Sequence, residues 1–341
     1  METFYDTWLE AWNVATAERG LARKVIHEEE LTWVETPQDF RTALLIAPET
    51  GFRTCGTVTL LAEIPSGCHS GCHSHGEESA YVLSGEGFTV VDGLRFDWSR
   101  GSALLIPFGA KHQHFNTGKG PARIFSAMAV GLERFLGMHR LVQVSGKGRT
   151  DRMPESEPSE DGCDANGERV VLSMSAARTV DASEGPERRE VRAADLLGDD
   201  GQYVAGDSEG MRGLRHLHRP AAQYLEYMRV SRVVNGFHPH EVEISGVLTD
   251  LPGERSGMHA HMEALLYIVS GEGHSIIDDD TVQWRSGSAL HIQGPQTRHQ
   301  HFNDGRGVSA MLRVAPGIRY FFEGAAKREF PYLFLKSRDE K

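Results

Sequence analysis

Histidine dominates the chemistry open to this chain. His73 and His75 stand two apart, as do His259 and His261, and each pair follows a glycine, Gly67 or Gly253, across five intervening residues. Each pair is followed later by the run His-Gln-His-Phe-Asn, at His112 to Asn116 and at His299 to Asn303. Strand side chains alternate, so two histidines at i and i+2 point to one face of a strand. A third histidine from a later strand, His112 or His299, completes a facial set of imidazoles. Neutral imidazoles suit iron, copper, nickel or zinc, and an added carboxylate favours Fe(II) or Mn(II). Three ligands on one face leave positions open to substrate and O₂, which a closed tetrahedral site does not. Three neutral ligands also leave a divalent metal its full charge, which favours an anionic substrate.

The elements that must hold these residues read as strands. From Arg41 onward, short β-branched and apolar runs alternate with Gly, Pro and Asp, as in Thr57 to Leu61, Tyr81 to Leu83, and Phe88 to Val91 before Asp92-Gly93. Strand-like segments resume near Tyr224 and run through Val247-Leu248, Leu265 to Val269, and Ser275 to Ile277. Ahead of them, Phe4, Trp8, Leu9 and Trp12 are spaced as on an amphipathic helix over residues 3–16, with Thr3 and Asp6 as its capping signal. The repeat is internal: at an offset of 186, Gly85, Gly87, Asp92, Trp98 and Gly101 to Leu104 recur as Gly271, Gly273, Asp278, Trp284 and Gly287 to Leu290. One inserted residue later the offset becomes 187 for the His-Gln-His-Phe-Asn run. Duplication of one β domain accounts for the pattern. Residues 146–169 lose nearly all aliphatic character, and low hydrophobicity continues intermittently to 201. The expected division is therefore 1–145 (helix and first barrel), 146–201 (polar, partly disordered linker) and 202–341 (second barrel with a C-terminal tail).

Composition bounds the function. A chain of 341 residues with 39% hydrophobic and 25% charged residues has room for two cores. A formal charge of −12 disfavours nucleic acid and anionic membrane as partners but leaves a local Arg free to hold a small anion. Four cysteines, Cys55, Cys68, Cys72 and Cys163, are too few for a disulfide framework. The start, Met1 to Asp6, has no basic-then-apolar leader, and no run approaches eighteen apolar residues. A reducing cytoplasm is the expectation.

At the motif level the chain resembles the cupin superfamily. Its first motif is Gly, five residues, His-x-His, three or four residues, Glu, six residues, Gly. Gly67, His73, His75, Glu78 and Gly85 follow it, except that two residues separate His75 from Glu78. The second motif, Gly, five residues, Pro-x-Gly, two residues, His, three residues, Asn, is met at every spacing by Gly101, Pro107, Gly109, His112 and Asn116. The second copy keeps Gly253, His259, His261, Gly271 and His299. It has Ala264 where the first has Glu78, and Gln293-Gly294-Pro295 in place of Pro-x-Gly. Glu263 beside Ala264 should face the opposite side of its strand. The resemblance implies a mainly β fold of two tandem cupin (double-stranded β-helix, jelly-roll) barrels with an N-terminal helical segment, and a homo-oligomer. It implies metal ligands His73, His75, Glu78 and His112 in the first barrel and His259, His261 and His299 in the second.

Among cupins the chain is similar to bicupins of the gentisate 1,2-dioxygenase type, in its duplication, its His-x-His pairs and its His-x-His-x-Asn runs. That likeness implies an Fe(II)-dependent dioxygenase opening the ring of a hydroxylated aromatic acid with O₂. Two features depart from it. The second motif is approached through Pro107-Phe108-Gly109 or Gln293-Gly294-Pro295 rather than an aromatic-rich run, and Tyr81 and Leu266 or Tyr267 stand where that type carries an Arg. Mn(II), Ni(II) or Zn(II) would instead suit a bicupin decarboxylase, isomerase or hydrolase acting on a small organic acid or sugar. A non-catalytic ligand-binding bicupin is the third reading.

Several further residues admit two readings. His114 and His301 share the strand parity of His112 and His299, and either orient substrate or a ligand histidine, or pack as hydrogen-bonded interior groups. Arg313, where the first copy has Ser126, either clamps a substrate carboxylate or is solvated. Lys111 and Arg298 should point away from the site. Cys68 and Cys72 form one close pair, too little for a zinc site. Trp98 and Trp284 read as packing.

Overall fold

The computed structural model describes residues 2–173, 176, 178–181, 190–192, 223–225, 236–318 and 333–336. It is mainly β, with the α-helices α1 (Phe4–Leu21) and α2 (Val130–Leu136). Each copy of the repeat forms two sheets wrapped around one interior. In the first barrel one sheet orders Val171–Leu172, Ala103–Ile106, Glu78–Ser84, Ala122–Met128, Val58–Ile64 and Arg41–Leu44. The other runs Val142–Ser145, Cys72–Ser74, His112–Asn116, Glu86–Val91 and Leu94–Ser99. The second barrel repeats this plan with Ala289–Ile292, Ala264–Ser270, Ser309–Pro316 and Val242–Asp250 in one sheet. Its opposing sheet holds Asp280–Arg285, Glu272–Ile277, His299–Asn303 and Met258–Ala260.

Strands buried on both faces read as continuous apolar runs, and Glu78–Ser84 shows why. Ala80 and Val82 enter the barrel's own core with Leu104, Ile106, Phe96 and Trp98. Tyr81 turns the other way, into a cluster shared by both barrels, where Leu61 and Phe125 meet Ile244, Leu265, Tyr267 and Leu312. The Phe125 and Tyr267 rings lie 5.1 Å apart across it. Truncating such a buried ring to alanine costs about 3–5 kcal/mol. The outer faces of two sheets are thereby removed from water, and the barrels lean on each other.

Strand pairing crosses the divisions expected from composition. Gly148–Arg149 pairs with Cys68–His69, Glu157–Pro158 with Leu94–Arg95, and Val171–Leu172 with Ala103–Leu104. Three short pieces of the expected linker thus satisfy open sheet edges of the first barrel. The apolar run Val170 to Leu172, inside an otherwise polar stretch, is buried there. Near the N-terminus, Val25–Ile26 pairs with Ala289–Leu290 and so joins the second barrel. Most of residues 174–235 lie outside the described residues.

Helix α1 begins as the capping signal implies: Thr3 Oγ1 accepts the Asp6 N–H and Asp6 accepts the Thr3 N–H. It runs on past residue 16 to Leu21, since no breaker intervenes before Gly20, and Arg19 fastens its end to Asp278 at 3.5 Å. Its apolar stripe does not face the protein: the helix buries none of its residues. No helix among the described residues is long and apolar enough to cross a membrane.

Candidate metal centres

The local structure that delivers the third histidine is a hairpin. Asp92 and Asp278 adopt left-handed backbone angles (φ 47° and 54°), a conformation that Asp tolerates better than most residues. Each carboxylate accepts the backbone N–H of the residue just before the ligand, Lys111 or Arg298. At the far end of the strand, Asn116 donates to the carbonyls of Ile64 and Gly120 and accepts the Gly118 N–H; Asn303 does the same with Asp250, Gly307 and Gly305. The motif asparagine is therefore a staple for the turn. Between these two pins, His112 sits opposite His73 in strand register, and His299 opposite His259.

The structure brings each expected triad together. Ring centroids are 4.7 Å (His73–His75), 4.3 Å (His73–His112) and 4.8 Å (His75–His112) apart. In the second barrel the corresponding separations are 5.2, 4.2 and 4.6 Å. In each set, one ligand atom per residue lies within 4.8 Å of the others. The Nδ1 atoms of His75, His112, His259, His261 and His299 face the backbone carbonyls of Gly76, Ala110, Gly257, Met262 and Thr297. A carbonyl can only accept, so each Nδ1 carries a proton, which leaves each Nε2 to face the cavity. Buried His73 Nδ1 and His112 Nε2 have no hydrogen-bond partner. Unsatisfied buried nitrogens are costly, and a divalent cation at the centre would give such donor sets a partner.

Electrostatics keep His73 and His299 neutral. Burial, reinforced by the charges of His112 and His75, pushes His73 down to about 2. Burial and His259 hold His299 well below the usual histidine range. Burial also opposes charge on His75, but the hydrogen bond and charge of Glu78 outweigh it and hold its pKa above the usual value. Glu78 Oε2 lies 3.4 Å from His75 Nε2 and 3.6 Å from His112 Nε2. Although burial raises its pKa, those two imidazoles hold Glu78 well below the carboxylate range. The corresponding space in the second barrel is apolar, filled by Ala264, Ile277 and Ile292.

His114 and His301 are buried beside the triads, 5.7 and 5.5 Å from His112 and His299 by ring centroid. Trp98 and Trp284, expected as packing, do more. Trp98 Nε1 donates to Thr89 Oγ1 at 2.9 Å, and that hydroxyl meets His114 Nδ1 at 2.7 Å. Trp284, Ser275 and His301 repeat the chain at 3.0 and 2.7 Å. An indole N–H only donates, so the hydroxyl accepts it and turns its own proton to Nδ1. The remaining imidazole proton is thereby placed on Nε2. Burial, then the neighbouring imidazoles, lower His114 to about 4 and His301 to about 3, so both are neutral at pH 7.

Arg313 is half-buried on Ser309–Pro316, with Nη1 donating to Ser245 Oγ at 3.3 Å. Its charge helps to depress His299, after burial and the two histidines His259 and His301. Lys111 and Arg298 are exposed and turned outward, as alternation requires. Cys68 and Cys72 are free thiols, and burial raises Cys72, which reduces its thiolate character.

The partners of one residue and the role of another were not read from the sequence. Glu263 does face away from the cavity, where it accepts the Cys55 N–H at 3.1 Å and pairs with His291 Nε2 at 2.7 Å. Glu77, its counterpart, accepts the N–H groups of His240, Glu241 and Val242 at 2.9 to 3.3 Å. Each barrel thus ties down the backbone that enters the other. The signal was present: a Glu repeated at offset 186 on the outward parity of a strand.

Fold and site together define a duplicated β-barrel protein with a histidine-lined, metal-type cavity in each half. The cupin domain family model matches residues 60–128 and 246–315, one stretch in each barrel. Over 60 residues it is 38% identical to 5-aminosalicylate 1,2-dioxygenase of Comamonas sp, a match spanning 18% of this chain and 16% of that relative. Its fold is like that of salicylate 1,2-dioxygenase from Pseudaminobacter salicylatoxidans, with a TM-score of 0.57 at 14% identity over 84% of this chain and 78% of that one. The same enzyme's gentisate adduct superposes over 94% of this chain and 81% of that one, at 14% identity and a TM-score of 0.56. A variant of Bacillus subtilis oxalate decarboxylase gives a TM-score of 0.52 at 11% identity, over 86% and 77% of the two chains.

Proposed function

We propose that this bicupin is an Fe(II)-dependent dioxygenase that opens the ring of a hydroxylated aromatic acid with O₂, using the second barrel's cavity. The observation that carries the reading is the set His259, His261 and His299 with Ala264 in place of a carboxylate and Arg313 alongside. Similarity to ring-cleaving dioxygenases supports it. The three histidines would hold the iron, which when bound supplies the Lewis acidity and electron transfer that ring opening by O₂ requires.

The chain's own residues do the rest. Arg313 offers a charge-assisted hydrogen bond to the substrate carboxylate and offsets the protein's acidic balance where the anion enters. His301, held neutral with its proton on Nε2 by Ser275 and Trp284, donates to a substrate oxygen. Ala264, Ile277 and Ile292 give the ring an apolar wall. In the first barrel His73, His75, Glu78 and His112 would hold a second divalent metal, with His114 as the matching donor. Four free thiols fit a reducing cytoplasm.

A second reading rests on Glu78. Three histidines and a carboxylate suit Mn(II), and a first-barrel decarboxylase or isomerase acting on a small acid would match the likeness to oxalate decarboxylase. Anaerobic purification without added metal, followed by elemental analysis and O₂ uptake with hydroxybenzoates, separates the two. Iron with hydroxybenzoate-dependent O₂ uptake supports the dioxygenase. Manganese without O₂ uptake transfers the function to the first barrel, and a chain that holds no metal even after reconstitution sinks both readings.

A further inference from the structure

Among the described residues two apolar surfaces remain exposed, and they do not cover one another. The first is the stripe of α1, where Phe4, Tyr5, Trp8 and Leu9 are each about three-fifths exposed or more. An isolated helix of this length is marginal in water, and no residue of α1 is fully buried. The second runs from the end of α2 through the edge strand Val142–Ser145: Phe135, Leu136, Met138, Leu141 and Val144 are all exposed. That strand ends its sheet, with one side of its backbone unpaired among the described strands. Exposed apolar patches of this extent mark interaction sites.

Charge pairs these two surfaces. The first three turns of α1 carry Asp6 and Glu10 and no basic residue. Across residues 134–149 stand the exposed Arg134, Arg140 and Arg149 with no acid, while Lys147 is already paired with Glu35 at 3.0 Å and Glu133 is buried against His139 at 2.9 Å. Position pairs them as well. The α1 end is fixed to the second barrel through Arg19–Asp278 and the Val25–Ile26 pairing, whereas the basic strip lies on the first barrel beside Cys72–Ser74.

We propose that α1 of one chain docks on the Phe135 to Val144 strip of a second copy of this chain, reciprocally, about a two-fold axis. Four aromatic or aliphatic side chains per helix, at ~150–250 Å² for each aromatic, and two such joints bring the buried area to roughly that of a standard stable interface. The interface is self-complementary and closed. It rests on the strand hydrogen-bonded to Cys72–Ser74, so the partner's helix lies beside the strand that carries His73.

The test is sedimentation equilibrium on the full-length protein, with circular dichroism to show that each variant folds. Both substitutions, Trp8→Glu and Leu141→Glu, fall on exposed residues. Wild type should run at twice the chain mass, and each variant should dissociate at least ~30-fold more readily for each helix-to-strip joint that it disrupts. Mixing the two variants provides the sharper readout. A mixed dimer gathers both lesions into one joint and leaves the other intact, so the mixture should associate more tightly than either variant alone. A monomeric wild type, a dimer indifferent to either substitution, or a mixture no tighter than its components would each overturn the proposal.

Discussion

The two cavities share a frame and differ in charge. Both bring one ligand atom from each of three histidines within 4.8 Å, both fix the third histidine with a left-handed aspartate turn, and both back a neighbouring histidine with a hydroxyl and an indole. Around that frame the first barrel has a carboxylate, Glu78, where the second has Ala264. The second has a cation, Arg313, where the first has buried, uncharged Ser126. Both exchanges move charge the same way: the first cavity becomes more negative and the second more positive. A bound divalent metal would be partly neutralised in the first barrel and left exposed to an anion in the second. The duplication kept a geometry that could hold a metal and let the charge around it diverge.

Removing a ligand from one barrel at a time should break this comparison most strongly. His299→Ala is expected to abolish substrate-dependent O₂ uptake by more than ~100-fold, since even outer hydrogen-bond partners of ligands cost 10- to 100-fold. His112→Ala should lower bound metal while leaving most of the uptake. Metal content and uptake rate, measured on both variants, decide the matter. If His112→Ala were the inactive one, the two cavities would have to exchange roles.

Arg313 tests the electrostatic half. Losing one charge-assisted hydrogen bond of ~1.5–3 kcal/mol corresponds to a ~10- to 150-fold effect. Arg313→Ser, which copies the first barrel's Ser126, should therefore raise KM for an aromatic acid by that order and change kcat less. An amide of the same acid should be nearly indifferent to the substitution. An equal loss with acid and amide would mean that Arg313 only supports the barrel through Ser245.

Sequence and structure agree best where period and repetition coincide. Strand parity placed His73, His75, His112 and their counterparts on one face, and it turned Glu263, Lys111 and Arg298 away, because alternation on a strand is a strict geometric rule. Cross-barrel contacts were not legible. Nothing local in Glu77 announces that it will accept three N–H groups some 160 residues further along the chain. Nor does Trp98 announce that its N–H will determine a histidine's proton through Thr89. The N-terminal stripe is informative only in part for a related reason: periodicity shows that a helix has an apolar face, not which surface that face covers. The polar stretch after residue 146 likewise concealed strands two residues long, whose pairing depends on a sheet edge rather than on their own composition.

The smallest expected effect refines the negative character of the first cavity. Burial, and next the charge of Glu78, push the Asp39 carboxyl up to about 7, against the pull of Lys147 and His75. A carboxyl whose pKa is higher folded than unfolded holds a proton in the native state that the unfolded chain has released. Its contribution therefore favours folding at low pH and is withdrawn as pH climbs from about 4 to about 7. Asp39→Asn cannot ionise, so its stability should fall less across that window than wild type's, with the two curves converging toward the acid end. Urea midpoints of the metal-free protein, taken across the window for both, measure the difference directly. The other titrating groups are common to both proteins and largely cancel. Parallel curves would show that Asp39 is solvated in the native state, leaving Glu78 as the charge that distinguishes the first cavity from the second.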